Sequence, residues 1–213
     1  HGRTSAGFDP ARPPVAVLDW DNTTMRGDIG DLSFALALER GLVRVPPSGD
    51  FGAFEPLTLA ARADFERACA GLPAGAAIDA AGPCAEVLAH VALGGHTLAG
   101  DDAFVTPITP LSRASYAFLG QLYSGMTPVQ IATLGRDALA AAEARPLGAM
   151  LRPGGVEIEG FARIQSPVAA LVRRLREAGF DVWVVSASHQ ALVEAIADRA
   201  GVDPDRVIGV RPL

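Results

Sequence analysis

The apolar positions of this chain fall into two patterns. Unbroken apolar runs lie near its two ends, and helix-spaced stripes fill the middle. After a polar, Pro-rich arm over residues 1–14, Val15-Ala16-Val17-Leu18 predicts a buried strand. Asp31 to Arg40 then predicts a helix, with apolar Leu32, Ala35, Leu36 and Leu38 and a stop at Gly41. Residues 44–56 hold Pro, Gly and Ser and predict a loop, with Phe51 and Phe54 embedded in it. Helices are expected over Pro56 to Ala70, Ala85 to Leu93 and Leu111 to Tyr123, with an irregular segment from His96 to Pro110. Thr127-Pro128-Val129-Gln130 places Thr at an N-cap, Pro at the first helical position and Gln at the third. That helix is expected to run to about Ala144.

The strand pattern returns near residue 156. Val156-Glu157-Ile158-Glu159 alternates, as a short strand or hairpin would. Ser166-Pro167 opens a helix whose stripe is Val168, Leu171, Val172 and Leu175, ended by Ala178-Gly179. Phe180 to Ser188 is a β-branched run that closes in small hydroxyl residues, followed by a helix from His189 to Ala200 and a third strand from Val207 to Val210. The expected fold class is α/β: a Rossmann-like parallel sheet core over 1–31 and 151–213, with an all-helical cap over 32–150 inserted after the first strand. Helices inserted at such a length can be scaffold; beside a catalytic strand end a lid is the expectation.

Composition narrows the class. Apolar residues make up 49% and charged residues 20%, as in globular proteins generally. The net charge of −6 argues against a nucleic-acid partner, which needs a basic face. No apolar run of about 18 residues predicts a membrane span. The N-terminus lacks the charged and apolar regions of a signal peptide, and the opening His1 suggests a removed tag or leader, so the compartment is open between cytoplasmic and exported. Cys69 and Cys84 are expected to be buried free thiols; the alternative, a disulfide closing one helical hairpin, would imply export.

The candidate chemistry sits where the first run stops. Asp19 and Asp21 crown the strand end, the edge where open α/β sheets bind ligands. The bland alternative is a polar strand end followed by an Asn-based turn. Two acids this close call for a positive charge between them, and Mg²⁺, a hard cation that bridges carboxylates to phosphate, suits them. One carboxylate can then act as nucleophile and the other as acid and base, while Thr23 offers a hydroxyl to a phosphoryl oxygen.

Leu18-Asp19-Trp20-Asp21-Asn22-Thr23 resembles the first motif of the haloacid dehalogenase-like superfamily. The extension Met25-Arg26-Gly27-Asp28-Ile29-Gly30-Asp31 is similar to its phosphoserine phosphatase-like branch, and within it to phosphorylcholine phosphatase-type proteins. Ser186, at the end of the second long apolar run, resembles the phosphate-binding Ser of the second motif, with Ala187 beside it. The resemblance implies a Mg²⁺-dependent phosphomonoester hydrolase. Asp19 would be nucleophile, forming an aspartyl-phosphate, and Asp21 acid and base. Thr23, Ser186 and Ala187 would hold phosphate, and Mg²⁺ would sit on Asp19, on the main-chain carbonyl of Asp21 and on an acid of the missing motifs. The substrate would be a small phosphorylated metabolite. A dehalogenase or phosphonatase is the nearest alternative, against which Asp21 argues; a non-catalytic binding module is another.

Two motifs of the family are missing. It supplies a Lys and a further acidic pair after the second motif, whereas all basic residues here are Arg and the sequence closes soon after the third strand. The expectation is therefore an incomplete core, inactive alone, whose remaining part would cover an otherwise exposed strand edge at Val15–Leu18. Arg173, Arg174 and Arg176 read as a solvated helix face, and His189 as a helix-start residue. The Phe51–Glu55 loop, with two aromatic rings beside two acids, is a candidate for reading a cationic leaving group.

Overall fold

The computed structural model describes residues 2–106 and 113–211. Leu111, the expected start of one helix, and the end of the His96–Pro110 segment lie outside them. In chain order the elements are β1 (Val15–Leu18), β2 (Met25–Arg26), α1 (Ile29–Glu39), α2 (Leu59–Ala68), α3 (Pro83–Ala89), α4 (Ala114–Gln121), α5 (Pro128–Ala144), β3 (Met150–Leu151), β4 (Ile158–Glu159), β5 (Arg163–Ile164), α6 (Ser166–Glu177), β6 (Asp181–His189), α7 (Gln190–Glu194) and β7 (Val207–Val210). The class is mixed α/β. The apolar runs at both ends of the chain meet in one parallel sheet of order β1-β6-β7, with Val15 opposite Asp181 and Leu18 opposite Val184. β6 is central because its alternation buries Val182, Val184, Ser186 and Ser188 on one face. α6 and α7 pack against β6, and their Val172, Leu192 and Val193 are buried. On the other face Val15, Val17, Val185 and Ile208 are exposed.

The chain divides into two compact units. The first holds the residues up to Ile29, Pro128–Gly148 and Gly160–Arg211, and so contains the whole parallel sheet. These limits differ from the expected core of 1–31 and 151–213. Helix α5, expected in the helical insertion, groups with the sheet. Its Gly135 lets it close onto α7, where a Cβ would stand 3.1 Å from the Leu192 carbonyl oxygen. Its C-terminal end is held by Arg163, whose guanidinium donates to the carbonyls of Ala142 at 3.1 Å and Arg145 at 2.7 Å. Two further expectations change in this unit. β6, expected over Phe180 to Ser188, runs from Asp181 to His189, so Ser186 lies within the strand and not at its last residue. The expected helix from His189 to Ala200 is broken at Ile196 (φ −132°, ψ 0°), leaving α7 and a separate single turn, Ala197–Ala200.

The second unit takes the described residues of Gly30–Thr127 together with Ala149–Glu159. It is mainly helical, with the short β3–β4 pair added. Thr58 caps α2, its hydroxyl accepting the Ala61 N–H at 3.3 Å. The core is aromatic. Phe51 stacks on Phe65 at 4.5 Å, and Phe54 and Phe104 each meet Phe118 edge-on, at 6.0 and 5.6 Å. Cys69, just past α2, and Cys84, in α3, form a disulfide, so the reading as free thiols does not hold. Spacing alone did not reveal that the end of α2 returns to the start of α3. Phe51 is buried in the aromatic core and serves packing, which removes it from the expected cation-reading surface.

Candidate active site at the strand ends

The site grows from the turn that follows β1. The Trp20 carbonyl accepts the N–H groups of Thr23, Thr24 and Met25 at 3.3, 2.9 and 2.9 Å, which folds the chain back within a few residues. Trp20 itself is fully buried. Asn22 takes a left-handed conformation (φ 58°), which its short polar side chain tolerates, and its Oδ1 accepts the Gly27 N–H at 3.3 Å. Gly27 (φ +93°) is needed because a Cβ there would meet the Phe161 carbonyl at 2.5 Å. From α6's leading edge, Gln165 donates its Nε2 to the Thr23 carbonyl at 2.6 Å and its N–H to the Thr24 carbonyl at 3.0 Å. The turn is thus pinned from both sides.

On this frame the two acids have different surroundings. Asp19 is exposed. Its Oδ2 accepts the Thr23 hydroxyl at 2.9 Å, and its main-chain carbonyl accepts the hydroxyl of the fully buried Thr24 at 2.6 Å. Asp21 is half-buried, and its carboxylate is surrounded by donors. Oδ1 accepts the Ile29 N–H at 2.7 Å; Oδ2 accepts the hydroxyls of Ser188 at 2.8 Å and Ser186 at 3.2 Å. Loss of water raises the Asp21 carboxyl to about 7, and the nearby Asp28 carboxylate adds to the rise; the Ile29, Ser188 and Ser186 bonds partly oppose it. His189 is pushed down by burial, against the pull of Glu194, and its Nδ1 accepts the Ala191 N–H at 3.2 Å. It caps α7 in the way its position suggested.

Of the residues singled out from the sequence, Asp21 and Ser186 are in contact and Asp19 is in contact with Thr23. Ser186 was expected on phosphate; its hydroxyl instead donates to Asp21 and accepts the Ser188 N–H at 3.0 Å. Ala187 is exposed between the two serines. Sequence reasoning missed Thr24, Gln165 and Ser188. Only Ser188 left a signal: it stands two positions after Ser186, and so shares its face wherever the strand continues. The other two act through contacts that no local pattern encodes.

The donor chemistry can be tested against Mg²⁺. Asp19, exposed and with only Oδ2 engaged, is the kind of hard oxygen ligand Mg²⁺ takes alongside water and substrate phosphate. The Asp21 carboxylate does not fit, because its two oxygens already accept three hydrogen bonds; the atom of Asp21 that the resemblance offers to the ion is its main-chain carbonyl, which those bonds do not engage. Among the described residues no group of three His, Cys, Asp or Glu stands together as a metal cage. No helix among them is long and apolar enough to cross a membrane.

The fold is shared with a solved structure, that of a conserved functionally unknown protein from Anaerococcus prevotii DSM 20548. The TM-score is 0.61 and the identity 16%, over 99% of this chain and 64% of that one. The chain therefore spans under two thirds of the length of its structural neighbour. No protein-family model and no curated protein matches the sequence.

Proposed function

We propose that this protein is a phosphomonoester hydrolase acting through an aspartyl-phosphate, built on a Rossmann-like core of the haloacid dehalogenase type. The observation that carries the reading is the division of labour between the two acids. Asp19 stands open at the end of a parallel strand, while Asp21, two positions on, is sheltered and held by hydroxyls from the neighbouring strand. The resemblance of Leu18–Thr23 to the family's first motif supports it, as does the adjacency of β1 and β6, whose ends carry the two motif-like stretches.

In this mechanism an Asp19 oxygen attacks phosphorus as the bond to the leaving alkoxide breaks. Asp21 gives the departing alkoxide oxygen a proton. It then takes a proton from the water that attacks the aspartyl-phosphate, releasing inorganic phosphate and freeing Asp19. The Thr23 hydroxyl, already on Asp19, orients the nucleophile and is placed to turn toward a phosphoryl oxygen. Mg²⁺ on Asp19, when bound, would offset the repulsion between the carboxylate and the phosphoryl oxygens.

The test is phosphate release by the full-length protein from a panel of phosphomonoesters in Mg²⁺ buffer. Turnover that disappears in Asp19→Asn supports the reading. Binding of the esters without turnover would favour a binding module instead.

A further inference from the structure

We infer that Ser188 is a positioning residue for the acid–base carboxyl, fixing Asp21 from the neighbouring strand. The inference rests on the hydrolase reading above and adds to it a residue that the motif resemblance does not assign.

The geometry starts with the length of β6. Because the strand continues to His189, Ser186 and Ser188 share its buried face, and both point to Asp21, more than 160 positions earlier in the chain. Both hydroxyls reach the same oxygen, Oδ2, with Ser188 the closer at 2.8 Å against 3.2 Å. The opposite oxygen, Oδ1, is fixed by a main-chain donor, the Ile29 N–H. A main-chain N–H can only donate, so Oδ1 is reserved as an acceptor. A serine hydroxyl can donate or accept. Oδ2 is therefore the oxygen that can carry a proton without losing its partner, and Ser188 keeps its hold in both states. Ser186 is less free to do this, because its Oγ also accepts the Ser188 N–H at 3.0 Å.

Ser188 is itself braced. β7 approaches so closely that a Cβ on Gly209 would lie 2.8 Å from the Ser188 carbonyl oxygen and 2.7 Å from Gln190 Cα. Buried Gln190 ties the same stretch to β7 by accepting the Gly209 N–H at 3.3 Å and the Arg211 Nε at 2.6 Å. The hydroxyl thus projects from a strand segment locked on its far side, as a group that holds a reacting side chain should.

The test compares two substrates of the full-length protein. Glycerol 2-phosphate has a poor leaving group that needs a proton; p-nitrophenyl phosphate has a good one. Ser188→Ala should lower kcat/KM for glycerol 2-phosphate about tenfold more than for p-nitrophenyl phosphate, since general acid catalysis matters most where the leaving group is poor. Equal losses on both, or none, in a protein whose parent is active would overturn the role of Ser188 while leaving the hydrolase reading intact. If the parent hydrolyses neither ester, the hydrolase reading fails and with it the acid–base role; the physical coupling is then read from unfolding. Ser188→Ala should weaken folding several-fold in the parent and by less in an Asp21→Ala background, and additive losses would show that Ser188 does not act on Asp21.

Discussion

The strand-end site and the aromatic core of the helical unit show opposite uses of burial. At the site, burial is spent on polar groups: Ser186 and Ser188 donate to the half-buried Asp21, and buried Thr24 donates to the Asp19 main-chain carbonyl. Such an arrangement gains little stability, because each group's lost hydration offsets the bond it makes. In the helical unit, Phe51, Phe65, Phe104 and Phe118 are buried against one another, with a disulfide close by in sequence and no carboxylate among them. On the proposed reading the first region serves chemistry, while the second holds a fold. Substitutions should therefore separate activity from stability in opposite ways.

The largest separation is expected at Asp19. Asp19→Asn should lower turnover by about 10³-fold or more, as removal of a nucleophile does, while leaving the melting temperature within a few degrees, because the side chain is exposed. Phe118→Ala should do the reverse. Removing a fully buried ring costs about 3–5 kcal/mol, read by urea denaturation, and the activity of the molecules that remain folded should persist. Reduction of the Cys69–Cys84 bond belongs with the second class. Opening a loop of this length should cost roughly 3 kcal/mol, seen as a lower melting temperature in reductant.

The smallest effect crosses the two classes. The folded Asp21 carboxyl titrates near 7 against 3.8 when unfolded. Between those values the folded state holds the proton more tightly. Its contribution to stability is therefore full below about pH 4 and is lost as pH rises toward 7. Asp21→Asn removes that loss. Measured in chelator, the variant should gain on the order of 2 kcal/mol over the parent at pH 8 and nothing at pH 4, while losing turnover. A parent whose stability is flat from pH 4 to pH 8 would show that Asp21 is not desolvated.

The same contrast explains what was legible in the sequence. The strands β1 and β6 were, because Val-rich runs have few other uses, and the acids that end β1 stand out against such a run. α5 was read to its observed end, Ala144, from its Thr-Pro-x-Gln start. Its unit was not, because grouping with the sheet depends on Gly135 meeting Leu192, a contact with no local trace. Phe51 was misread for a related reason. An aromatic in a Gly/Pro-rich loop looks available for a ligand until Phe65 is seen to stack on it. The hold of Ser188 on Asp21 was hidden in the same way, and the disulfide stood only as the alternative to free thiols, each being a meeting of segments that only the folded chain brings together.

The central claim is that Asp19 becomes covalently phosphorylated. The most direct measurement is to quench the full-length protein during turnover, trap the acyl phosphate with hydroxylamine or borohydride, and locate the modified residue by peptide mass spectrometry. The account predicts modification at Asp19 in the parent, none in Asp19→Asn, and, with p-nitrophenyl phosphate, whose leaving group needs no proton, accumulation in Asp21→Asn, which lacks the base for the second step. Active protein with an unmodified Asp19 peptide, or a label on any other residue, would contradict it.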